Sequence, residues 1–136
     1  MTFALVVFLA FADLSAVKSE PDLNKRSEMA LENAGDALDE ARQASAANND
    51  KALGAALTEV DESVELCYQS LEQTHSTPRK SRYYKRAELK LSALLRRLTT
   101  LRDDVSYEFQ PKVDAVIQKV SGVHDQLLSE IMSKRK

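Results

Sequence analysis

A chain of 136 residues is long enough for one domain with a single core of ordinary size. Its three Gly and three Pro, beside an apolar set rich in Ala, Leu and Val, exclude a turn-rich β-sandwich or barrel and favour helices. One cysteine, Cys67, excludes an internal disulfide, and a net charge of −2 excludes the domain-wide cationic surface that suits nucleic acid, so no nucleic-acid partner is expected.

That small net charge conceals a strong imbalance along the chain. Residues 18–77 carry five bases against thirteen acids, whereas residues 78–102 carry nine bases against a single acid, Glu88. The simplest use of such halves is each other, with an acidic first hairpin set against a basic third helix.

The chain opens with the apolar run 3–9 (FALVVFL), too short for a bilayer, which takes about twenty apolar residues. Its length suits the core of a secretory signal, and Ala10, Phe11 and Ala12 form an A-x-A cleavage pattern. The expectation is a signal segment over 1–12, cleaved after Ala12, and an exported protein, periplasmic or secreted, beginning at Asp13. No Lys or Arg precedes the run, which departs from the usual signal pattern; the competing assignment is a helix that packs on the domain. Residues 13–22 then read as a flexible leader, and 23–136 as an all-α domain without a transmembrane helix.

The first helix is expected from about 22 to 47, with Leu23, Ala30, Leu31, Ala34, Leu38, Ala41 and Ser45 inward. Small residues dominate this stripe, so its neighbour can approach closely. Glu28, Glu32, Asp36 and Glu40 form an acidic band beside it, and Asn48, Asn49 and Asp50 supply turn and capping chemistry. The second helix, about 51 to 74, repeats a four-three alternation through Leu53, Leu57, Val60, Val64, Cys67 and Leu71. The two make an antiparallel hairpin.

The third helix is the element with the cleanest seam: Tyr84, Ala87, Leu91, Leu94, Leu98, Leu101 and Val105 within 78–105. On the same segment Arg79, Arg82, Arg86, Lys90 and Arg97 fall within one quarter of the circumference at 100° per residue. This cluster reads first as a solvated face matched by the acidic bands, and alternatively as a binding site for an anionic surface. Asp103 and Asp104 are assigned to the following turn, with Ser106 capping a fourth helix that has Pro111 in its first turn. That helix presents Val113, Val116, Ile117, Val120, Val123, His124, Leu127, Leu128 and Ile131. The resulting architecture is an antiparallel, up-down-up-down four-helix bundle made of two helical hairpins with coiled-coil-like seams. A homodimer of two long hairpins is the alternative assembly.

Chemistry is sparse. Glu72 and His75 have the Glu-x-x-His spacing of carboxylate-bridged metal bundles, but Ser121 stands where a second unit would need its acid before His124. Met29, the one candidate on the first helix to join His124 as a haem ligand, lies about 130° from that helix's inward centre. No Cys-x-x-Cys-His, Gly-rich phosphate loop or nucleophile elbow occurs. No metal, cofactor or catalytic residue is therefore expected. Cys67 and His124 both lie on inward stripes, and helix rise places them in one layer with Leu31 and Ala87 or Leu91. Their expected role is structural, a small thiol and a neutral imidazole in the core. The function that follows is a non-enzymatic interaction or structural module of the cell envelope, whose partner is a protein or envelope component. The rival is a small-ligand binder using His124 and tyrosines.

Overall fold

The computed structural model describes residues 13–133. They form five α-helices packed against each other and one 3₁₀ turn, without a strand among the described residues. The helices are α1 (Leu14–Lys18), α2 (Leu23–Ala46), α3 (Asp50–Gln73), α4 (Arg82–Asp104) and α5 (Gln110–Met132), with the 3₁₀ turn Tyr107–Phe109 before α5.

Short polar side chains set the boundaries. Asp22 accepts the Lys25 amide at 3.2 Å to start α2, and Asn49 accepts that of Ala52 at 3.1 Å to start α3. Between them Asn48 adopts φ 56°, the left-handed conformation that ends a helix and that Asn tolerates better than most residues. His75, at φ 55°, ends α3 in the same way. Ser81 then accepts the amides of Tyr83 and Tyr84, so α4 begins at Arg82, four residues later than its charge and seam suggested. At its other end α4 runs through Asp103 and Asp104, which stay helical and exposed because Val105, the last seam residue, is buried just beyond them. Ser106 flanks the 3₁₀ turn, and Phe109 occupies the cap position of α5 with Pro111 in the first turn.

Ion pairs on the rim give the directions. Glu28 pairs with Arg86 and Asp39 with Arg97, each 58 residues apart, so α2 and α4 lie side by side and run the same way. His124 meets Glu88 and Asp114 meets Arg102, which makes α4 and α5 antiparallel. Glu65 with Lys119, and Tyr68 with Glu130, join α3 to α5. The two hairpins therefore face each other with like-directed helices as neighbours. The diagonal pair α3 and α4 meets mainly near the connection, where the Tyr84 hydroxyl donates to the Leu71 carbonyl at 3.2 Å.

The seams read from spacing form the centre. Leu38, Leu57, Leu71, Leu91, Leu98, Leu101 and Leu127 are wholly buried with Val60, Val64, Val113, Val120 and Cys67. Fully burying one such side chain favours folding by about 1.5–3 kcal/mol. Three expectations shift. On α2, Leu23 and Ser45 are only half-buried, while Ser27, Asn33, Ala37 and Ala44 join the buried stripe because α2 has neighbours on both sides. The face of α5 narrows to Val113, Val116, Val120, Val123 and Leu127, leaving Leu128 exposed and Ile117, His124 and Ile131 half-buried.

The third shift concerns residues 13–22, which are not a loose leader. Asp13 caps α1 through the Ser15 amide, Leu14 and Val17 are 6% and 5% exposed, and α1 packs over the α2–α3 hairpin. Glu20 extends the tie, its carbonyl accepting from Arg26 Nε at 2.8 Å. A five-residue helix is far too short to persist alone, so its two apolar contacts and its cap hold it in place. The signal segment over 1–12 and its cleavage after Ala12 lie outside the described residues.

Candidate functional site

The basic cluster separates once the helix boundaries are fixed. Arg79 sits in the connection before α4, off the helical face that its spacing implied. Arg86 and Arg97 reach back to Glu28 and Asp39 on α2, which spends two of the five cations inside the fold. Arg82 donates to the Tyr83 hydroxyl at 3.0 Å and lies 5.0 Å from that ring's centroid. Lys90 is exposed, and neither it nor Arg79 makes an ion pair among the described residues. What remains is a short band of cations at the start of α4, with no buried polar partner.

Cys67 and His124 have separate surroundings. Cys67 is wholly buried, and that burial pushes its thiol up to about 12, with Lys90 pulling weakly the other way. The thiolate that a nucleophile or metal ligand needs is thereby suppressed at neutral pH. His124 uses both ring nitrogens on carboxylates, Nε2 with Glu88 Oε2 at 2.7 Å and Nδ1 with Asp125 Oδ1 at 3.2 Å. Burial disfavours its imidazolium, but hydrogen bonds and charge from Asp125 and Glu88 outweigh that and raise its pKa. The imidazole expected to be neutral in the core is instead a rim group biased toward the charged form.

A carboxyl cluster that spacing did not single out lies between the ends of α3 and α5. Tyr68 donates to Glu130 Oε2 at 3.2 Å, and Gln126 donates to the same oxygen at 2.8 Å. Burial and then the Glu130 carboxylate raise the pKa of Glu72, and burial together with these acids raises both tyrosines, Tyr84 to about 12. His75, the partner in the Glu-x-x-His spacing, lies past the end of α3 and is exposed. No group of three or more His, Cys, Asp or Glu among the described residues is placed to hold a metal ion.

A concave feature lies on the α2–α3 hairpin, where the end of α2 meets the start of α3. A recess of about 660 Å³ runs between the helices, lined by Ala44, Ala47, Ala52, Ala55 and Ala56. Glu40, Gln43, Asn49, Lys51 and Glu59 form its polar edges. At one end stands a buried polar network. Asn33, 7% exposed, donates from Nδ2 to Glu59 Oε2 and to Ser63 Oγ, both at 2.8 Å, and its Oδ1 accepts the Asp13 amide at 2.9 Å. Three of the four hydrogen bonds that one carboxamide can make thus join α1, α2 and α3. Sequence reasoning passed over Asn33, although it falls on the same helical line as Ala30, Ala37 and Ala44. A polar residue on an alanine stripe was the available signal.

Comparison with known proteins finds no matching family, no similar curated protein and no similar solved structure. None of the described helices is long and apolar enough to cross a membrane.

Proposed function

We propose that this protein is an exported, non-enzymatic module, a four-helix bundle of two hairpins that acts by docking a protein or envelope component. The observation that carries the reading is the alanine-lined recess on the α2–α3 hairpin. It offers small apolar walls of alanine and a polar rim that includes Glu40, Lys51 and Glu59. A surface of that kind suits a protein segment better than a reaction. Export rests on the apolar run 3–9 followed by Ala10, Phe11 and Ala12. Val6→Asp in the full chain, fused to an exported reporter, is expected to abolish export. Unchanged localisation would end that part of the proposal.

The non-enzymatic part is supported by the surroundings of Cys67. Native protein at neutral pH is expected to react with a thiol reagent far more slowly than unfolded protein. Fast native labelling that disappears in His124→Ala would instead revive a catalytic role for the pair. An anionic surface is the second candidate partner, favoured by Arg79, Arg82 and Lys90 at one end of α4. Vesicle binding through those cations should weaken steeply with added salt.

A further inference from the structure

Helix α4 carries cations on the side turned away from the core, and that side has an apolar residue at its middle. Leu89 lies nine residues before Leu98, about half a turn round the helix from that wholly buried side chain, and is 67% exposed. Arg82 precedes it and Arg96 follows it by seven residues each, so the three fall nearly in line along about 21 Å of helix. Lys85 lies between Arg82 and Leu89, one turn before the leucine. Arg82, Lys85 and Arg96 are exposed, and none makes an ion pair among the described residues.

The acids of this stretch are engaged elsewhere. Glu88 and Asp125 both bond His124, and Glu28 pairs with Arg86. Asp103 and Asp104 stand at the far end of α4, about 20 Å from Leu89. On antiparallel α5, Leu128 follows His124 by one turn on the side toward α4 and is 39% exposed. The crest of α4 therefore offers cations on both sides of an apolar centre, with a second exposed leucine beside it.

We propose that this crest is a docking surface for a bilayer of anionic phospholipid, with α4 lying along the headgroups and Leu89 entering the acyl boundary. The inference rests on the anionic-surface reading above and names the surface. Charge complementarity supplies the attraction, since lysine and arginine reach lipid phosphates with their heads while their carbon stems stay on apolar ground. Leu89 decides between a bilayer and an anionic polymer. A polymer of phosphates or sulfates gives an exposed leucine nothing to enter, whereas the headgroup boundary accepts one to a depth of about 5–10 Å. Because the crest is turned from the core, docking needs no helix to move.

The test uses the full chain with vesicles of equal parts phosphatidylcholine and phosphatidylglycerol. Lys85→Gln combined with Arg96→Gln should weaken partitioning by about twentyfold, since each cation at such a surface contributes roughly fivefold. Leu89→Ser should weaken it at least about threefold while leaving the binding of polyphosphate unchanged. All three positions are exposed, so these variants should fold as the parent does. An environment-sensitive dye attached to Leu89→Cys should shift to the blue when the vesicles are added. The same dye on Thr58→Cys, exposed on the diagonal helix α3, should not shift. Cys67 is wholly buried, which leaves the new thiol as the reactive one. Vesicle binding that falls with the two cations but ignores Leu89→Ser, with no shift at position 89, would overturn the bilayer docking and leave the anionic-surface reading standing. Binding of neither vesicles nor polyphosphate would end both.

Discussion

The two hairpins of this protein solve the same packing problem with opposite materials. On α2 and α3 the buried residues include Ala30, Ala37, Ala44, Ala56, Ser63 and Ser70, and Asn33 bonds Glu59 and Ser63 across the hairpin. On α4 and α5 the buried residues include Leu91, Leu94, Leu98, Leu101, Val113, Val116, Val120 and Val123, with charged pairs kept to the rim. Small residues let two helices approach closely and gain specificity from a buried polar network, which only one geometry satisfies. Large aliphatic residues hold helices further apart and gain most from apolar area. The close-packed hairpin is also the one with concave space, because alanines leave a shallow floor where leucines would fill it.

The difference predicts opposite sensitivities. Leu98→Ala, at a wholly buried position on α4, should lower the unfolding free energy by about 2–5 kcal/mol, the range for truncating a core leucine. Denaturant melts would check this. A loss near zero would mean that α4 is not a principal source of apolar burial. On the other hairpin enlargement should be the harmful change. Ala37 is wholly buried one turn beyond Asn33, on the side facing α3, so Ala37→Leu should cost about 1–3 kcal/mol by forcing the helices apart. If the same melts show that variant to be more stable than the parent, the close approach of α2 and α3 is wrong.

The smallest effect concerns the rim of the looser hairpin. Because the carboxylates of Asp125 and Glu88 raise the pKa of His124, the folded state binds its proton more tightly than the unfolded state does. That stabilisation is fully present below the ordinary histidine value of about 6.5 and is lost as pH rises through the higher folded value. Thermal melts of the parent should therefore decline as pH rises above the ordinary histidine value, and His124→Gln should flatten the decline. A slope unchanged by the substitution would place the titrating group elsewhere.

Much of this architecture is determined by sequence alone, for a definite physical reason. A helix fixes its own periodicity, so the four-three spacing of Leu53, Leu57, Val60, Val64, Cys67 and Leu71, or of Tyr84 through Leu101, identifies the buried line without knowledge of any neighbour. Capping is equally local, and Asp22 and Asn49 act where their side-chain chemistry places them. Ser81 is an instructive case, because a single hydroxyl bonding two amides outranks four residues of favourable charge pattern in setting where α4 begins. Tertiary structure alone decided whatever depends on which helices become neighbours. Arg86 and Arg97 spend their charge on α2 because like-directed α2 and α4 lie side by side. His124 finds Glu88 rather than Cys67 because α5 rotates it to the α4 rim. Leu14 and Val17, only three residues apart in a stretch too short to carry a helical period, become buried only because α1 packs over the α2–α3 hairpin, where Asn33 accepts the Asp13 amide.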